Sequence, residues 1–262
     1  MSTDEFLARF GAAGQRQPDP VAAAQKAMRN VLPSRFYAAA AVLERDGLFH
    51  VALDGRTART PARNPLAVGS RAVADALAAE WQAQEERIDP ARMPLTRLVN
   101  SALDGVADQH EAVRAEIVRY AGSDALCYRA GEPEALVARQ NALWNPILRE
   151  TEAALGAHFL LAQGVMHAQQ PQATLDAVAA RVAGIAAPVA LAGAHNVMTL
   201  TGSTILMLAL ADGRRDADTI WAAAHCDEDY QIAIWGQDEE AAERRAIRRT
   251  EFDAAALLLL HG

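Results

Sequence analysis

Two Asp-Gly pairs set eight residues apart, Asp46-Gly47 and Asp54-Gly55, constrain the fold of this chain more than any other feature. Each pair supplies two adjacent residues that tolerate positive φ, which a two-residue hairpin loop requires. They punctuate the short runs FYAAAAVLE, LFHVAL and RTART before Pro61, and so specify an antiparallel β-meander. In the middle run Phe49, Val51 and Leu53 alternate with Leu48, His50 and Ala52, the period of a sheet with one better-buried face.

Most of the remaining sequence has helical periodicity. Ser70 is a good N-cap, and the stripe Val73, Leu77, Trp81, Gln84, Ile88 follows it in steps of 4, 4, 3 and 4 before Asp89-Pro90 ends the pattern. Residues 93–122 supply one or two further helices, with Gly105 a weak point and Gly122 a C-terminal stop. Past Pro133 helices are expected over 133–156, 172–184, 189–212, 216–235 and 238–260, separated by Gly, Pro or Asp-rich breaks. The stretch LLAQGVMHAQQP reads as a loop or hairpin arm, and 125–130 is a candidate strand returning to the meander. The resulting class is α+β. It comprises an N-terminal arm over 1–34, a small domain over 35–92 that holds the meander, and a larger, mainly helical domain over 93–262.

Charge and composition exclude several functions. The 25 basic and 33 acidic residues give 25 − 33 = −8, the wrong sign for the concentrated basic face that nucleic acid requires. Cys127 and Cys226 lie 99 positions apart and offer neither a disulfide framework nor a zinc spacing. The seven histidines never fall at ligand spacing, and the sole lysine, Lys26, ends no phosphate loop. No metal, cofactor or small-molecule substrate is therefore expected. The opening residues lack a secretory pattern, and Val197 to Ala211 is too short to span a bilayer, so a cytoplasmic protein without membrane insertion is expected. An enzyme alternative, a small hydrolase or transferase with a site between the two domains, would have to use Cys127, His50 or an unrecognised carboxylate. A dimeric scaffold is a third class.

More informative are polar groups on apolar stripes. Over 216–235 one face carries Ile220, Trp221, Ala224, Glu228, Gln231 and Trp235, placing a carboxylate on the line between two tryptophans. Burying that carboxylate unpaired would cost several kcal/mol, so Glu228 must be paired, protonated or facing something outside the domain. Leu136, Gln140, Leu143, Trp144 and Ile147 form a second such stripe, with Pro146 placed to kink it, and Trp81 with Gln84 a third. These stripes admit two readings. The polar groups satisfy partners at helix crossings, or aromatic anchors ringed by polar groups form a protein-binding surface.

The same segments carry a resemblance. The blocks LDGRTARTPARNPLAV, AAEWQAQEERIDPARMPLTRLVNSALD, RYAGSDALCYRA, QNALWNPIL and DEDYQIAIWG occur in order between about residues 35 and 236. In combination they resemble the assembly chaperones of the catalytic sector of F-type ATP synthase that act on its α subunit. The resemblance implies a non-enzymatic, ATP-independent chaperone, with no catalytic residues, that holds the free α subunit until the β subunit joins. It also implies a bacterial cytoplasmic setting, or the mitochondrial matrix in eukaryotic members. Trp81 and Gln84 fall on its Glu-Trp-x-x-Gln block, and an acidic residue shortly before Gln231 matches a position its members use. Here the local string is Cys-Asp-Glu-Asp-Tyr-Gln, where the family more often has a Leu-Glu-Glu run, which leaves Asp227 and Glu228 as rivals. Glu228 is preferred because it shares a stripe with Trp221, Gln231 and Trp235. The expected client-binding or site-supporting set is Trp81, Gln84, Gln140, Trp144, Asp227, Glu228, Gln231 and Trp235.

Overall fold

The computed structural model describes residues 32–164 and 168–262. The N-terminal arm expected over 1–34 lies, up to residue 31, outside the described residues. The meander forms as its turns dictate. Strand β1 (Ala40–Arg45) pairs antiparallel with β2 (Leu48–Leu53) in the register Ala40 to Leu53 and Arg45 to Leu48. Asp46 (φ 53°) and Gly47 (φ 74°) make the loop with both residues left-handed, the torsions that match the right-handed twist of the strands. Asp54 (φ 48°) and Gly55 (φ 78°) repeat it before β3 (Arg56–Thr57). A fourth strand, β4 (Ala67–Val68), also pairs with β2.

Simple alternation along β2 is lost at its end, where Val51, Ala52 and Leu53 are all buried. The chain from Ala58 to Leu66 folds back on this part of the strand, with the Val51 N–H donating to Leu66 O and the Ala58 N–H to Val51 O. The expected return of 125–130 to the meander does not occur. Instead β5 (Tyr128–Arg129) pairs in parallel with β6 (Ala162–Gln163), inside the stretch read as a loop or hairpin arm.

Helix α1 (Arg71–Gln82) starts at Ser70, whose hydroxyl accepts from the Val73 N–H, and buries Val73, Ala74, Leu77 and Ala78. It stops two residues short of Gln84, so the stripe drawn to Ile88 does not lie on one helix. The reason is competing backbone pairing: the Ile88 N–H donates to Pro33 O and the Arg35 N–H to Glu86 O, each at 2.9 Å. Gln84–Asp89 and the segment ending at Phe36 thereby form one compact unit, and Tyr37–Ala83 with Pro90–Gly262 form the other. Helix α2 (Pro94–Asp104) begins with proline, and its free N–H groups at Leu95 and Thr96 are taken by the Glu80 carboxylate of α1, both at 2.8 Å. Gly105 ends α2, and α3 (His110–Ala121) ends at Gly122.

Next come α4 (Glu134–Leu155), which continues through Pro146, and α5 (Gln172–Ala183). The helix expected over 189–212 is two helices, α6 (Pro188–Thr201) and α7 (Thr204–Ala211). Gly202 (φ 69°) stops the first, and the Ser203 hydroxyl caps the second by accepting from the Leu206 N–H. The helix expected over 216–235 likewise splits at His225 into α8 (Ala217–Ala224) and α9 (Cys226–Trp235). Helix α10 (Glu239–His261) closes the chain, capped by Asp238.

The core is helical, with α7 wholly buried except at Ala211 and packed with Ile117, Leu126, Trp144, Trp221 and Phe252. Helices α6 and α10 approach closely at Gly193, where an added Cβ would lie 2.5 Å from Leu259 N and 2.7 Å from Ala255 O. The meander-first, helices-after order of an α+β protein is what the structure shows. Among the described residues no helix is long and apolar enough to cross a membrane.

Candidate functional site

Helix α9 places three carboxylates, Asp227, Glu228 and Asp229, in its first turn, where the exposed N–H groups and helix dipole favour negative charge. The chain itself engages two of them. Gln140 of α4, 2% exposed, donates from Nε2 to Asp227 Oδ1 at 2.8 Å while its Oε1 accepts from the Ala130 N–H at 2.9 Å. Both halves of the amide are thus committed. Asp229 is held by Arg245 of α10 at 2.5 Å and by Arg139 of α4 at 3.5 Å.

Glu228 is held differently. Its carboxylate lies 3.9 Å from Nε2 of His225, a buried residue whose ring stacks on Trp221 with centroids 3.9 Å apart. Nδ1 of His225 lies 2.9 Å from Trp221 O, a carbonyl that only accepts, so the ring proton sits on Nδ1. Burial holds the imidazole pKa below its ordinary value, which leaves His225 neutral near pH 7. The ring therefore brings no positive charge to Glu228.

Trp144 fixes the helix preceding this turn. Its indole N–H donates to Ala223 O at the end of α8 at 2.7 Å, and the Arg129 guanidinium lies 5.1 Å over its ring. That guanidinium also donates to Leu126 O and to Asn145 Oδ1, and burial lowers its pKa. The far end of α9 is open. Trp235 is 76% exposed and Ile234 53%. The chain then turns through Gly236 at φ 87° and ψ 171°, and Asp238 starts α10 by accepting from the Ala241 N–H. Between α9 and the start of α10 lies a groove of about 260 Å³, with Ile232, Ala241 and Ala242 among its apolar lining and Glu228, Gln231, Asp238 and Trp235 also on its walls.

The structure thus brings Gln140, Trp144 and Asp227 together where α4 meets the α8–α9 junction, and lays Glu228, Gln231 and Trp235 along the groove at the other side of α9. The break at His225 removes Trp221 from the stripe, leaving it buried against Phe252 with ring centroids 5.2 Å apart. Trp81 does not join this cluster: its ring meets Tyr37 edge-on at 5.8 Å, and its carbonyl accepts from the Tyr37 hydroxyl at 2.7 Å. Gln84, buried in the other unit, accepts from the Asp89 N–H at 2.8 Å.

Sequence reading missed Asp124. This fully buried carboxylate accepts from Ser203 Oγ at 2.7 Å and the Leu126 N–H at 3.0 Å through Oδ1, and from the Ile205 N–H at 2.9 Å through Oδ2. It ties the turn after α3 to the start of α7, and burial pushes its pKa up to about 6. The Gly202-Ser203 pair, a helix stop followed by a cap, was the available signal for that junction.

Comparison with known proteins decides the family. Residues 34–152 match the model for the ATP12 chaperone protein. The crystal structure of Atp12 from Paracoccus denitrificans is 40% identical with a TM-score of 0.79, covering 87% of this chain and 97% of that one. The chain belongs to the ATP12 chaperone family. An aspartate-to-lysine mutant of the Paracoccus Atp12p matches with the same figures. A candidate chaperone from Agrobacterium tumefaciens, solved by crystallography, is 48% identical with a TM-score of 0.83, covering 94% of this chain and 92% of that one. ATP12 proteins are chaperones of ATP synthase assembly and not enzymes. The thiols weighed as nucleophiles are buried, and desolvation raises the pKa of both Cys127 and Cys226, which disfavours the thiolate.

Proposed function

We propose that the protein binds the free α subunit of F-type ATP synthase through the exposed face of α9, shields the surface that α turns toward its neighbour, and leaves when the β subunit joins. A subunit built for a ring exposes apolar surface before its partner arrives, and such surface promotes aggregation. The observation that carries this reading is the division of labour in α9. Asp227 and Asp229 are engaged by Gln140, Arg139 and Arg245, whereas Glu228, Gln231 and Trp235 line one open groove. Glu228 is accordingly the acidic residue offered to the client, and Asp227 supports it. Gln140 and Trp144 act from beneath by fixing where α9 begins, and Trp81 and Gln84 act as supporting groups near the end of α1.

A surface that mixes one large aromatic anchor with polar groups suits a complex that must later be displaced. The encounter is placed in the aqueous compartment where the catalytic sector assembles, the bacterial cytoplasm or the mitochondrial matrix. Nothing in this reading needs a cofactor, a metal or a covalent step. The test is capture of unassembled α subunit in cells depleted of β, comparing the parent protein with Glu228→Lys. Capture should fall about tenfold or more while circular dichroism stays unchanged, the range expected when an interfacial charge pair is reversed. Equal capture by a folded variant removes Glu228 from the binding surface.

A further inference from the structure

The groove beside α9 also specifies the chemistry of what enters it. Residues 226–245 contain seven Asp and Glu against two Arg, so this stretch carries 2 − 7 = −5 of the chain's net −8. Both arginines are committed within the protein, Arg244 to Glu240 and Arg245 to Asp229. Glu228 and Asp238 line the groove together with Arg245, whose guanidinium is taken by Asp229, and His225, 3.9 Å from Glu228, is neutral. Beside this negative wall stands the exposed indole of Trp235, over an apolar floor made by Ile232, Ala241 and Ala242. At about 260 Å³ the groove is smaller than the roughly 300–1,000 Å³ typical of small-molecule sites, and it is open along the surface like a seat for protruding side chains.

We infer that the groove receives a basic and apolar segment of the client, an arginine or lysine reaching Glu228 and Asp238 while the adjoining apolar side chain lies on Trp235. This rests on the reading that the groove faces the α subunit, and adds what that subunit must present. A guanidinium suits the site doubly, because it can pair with a carboxylate and stack on an indole face.

The experiment measures capture of α subunit by the full-length protein between about 0.05 M and about 0.5 M salt, over which screening shortens from beyond 10 Å to a few ångströms. The variants are Asp238→Asn and Glu228→Gln, singly and together. Asparagine caps a helix as well as aspartate does, so the first removes charge without removing the cap. The parent should lose about tenfold in capture across the salt range. The double variant should start about fivefold weaker and respond more weakly to salt. Equal, salt-independent capture by parent and double variant overturns the basic segment and leaves α-subunit binding standing. Failure of the parent to capture α at any salt overturns both.

Discussion

Replacing Gly193 by alanine tests whether the contact of α6 with α10 is set by backbone approach. A methyl at this position would sit 2.5 Å from Leu259 N, 2.7 Å from Ala255 O and 2.9 Å from Leu258 Cβ. Comfortable contact for such atoms begins near 3.5 Å, so α10 must retreat by about 1 Å. Two of the three obstacles are main-chain atoms, and no change of rotamer relieves them. Overpacking of this kind costs about 3 kcal/mol at the upper end of its usual range. Alanine is also a better helix former than glycine by about 1 kcal/mol, which acts in the opposite direction. The net expectation is a loss of about 2 kcal/mol, or about 4–8 °C in the melting midpoint for a chain of this size. Urea denaturation followed by far-ultraviolet circular dichroism gives the sign directly. A variant as stable as the parent, or more stable, would show that helix propensity outweighs the clash and refute the close approach.

Two further outcomes follow from buried polar groups. Asp124 has a folded pKa of about 6 against an ordinary value of 3.8, so the fold favours its protonated form. Its stabilising contribution is full below pH 3.8 and is lost as pH rises through 6. Relative to Asp124→Asn, the parent should gain about 1.5 kcal/mol between pH 7.5 and pH 5 and about 3 kcal/mol on full protonation. A pH-independent difference between the two denaturation curves would contradict this. Gln140→Leu leaves the half-buried Ala130 N–H without its partner and gives the exposed Asp227 carboxylate over to water, and should cost about 1 kcal/mol. Capture of the α subunit should fall with it although Gln140 is too buried to touch a client, and unchanged capture would dismiss its supporting role.

The meander was legible because its two turns depend on residues that adopt positive φ, a local property written directly in Asp-Gly. The Ser70 cap and the Gly122 stop were legible from local signals of another kind, a hydroxyl that accepts from the first turn and a residue without a side chain, neither of them at positive φ. What escaped were breaks imposed by partners distant in sequence. Periodicity alone runs smoothly through Gln84, through Gly202 and through His225. Each break depends on bonds from elsewhere: Pro33 and Arg35 for the first, Asp124 for the second, Trp144 reaching Ala223 for the third. The candidate site residues were drawn from residue types on stripes. That Asp227 and not Glu228 meets the Gln140 amide was not legible, because it depends on how α4 packs against α9.

Gly236 holds φ 87° and ψ 171°, a conformation essentially closed to any residue with a side chain, and a Cβ built there meets open space. The aperture beside Trp235 is therefore written in a single pair of torsions rather than in the chemistry of its lining. Drift in the sequence can trade one aromatic ring for another, or one acid for another, and leave the walls standing where they are. One methyl at 236, touching nothing, would re-aim them.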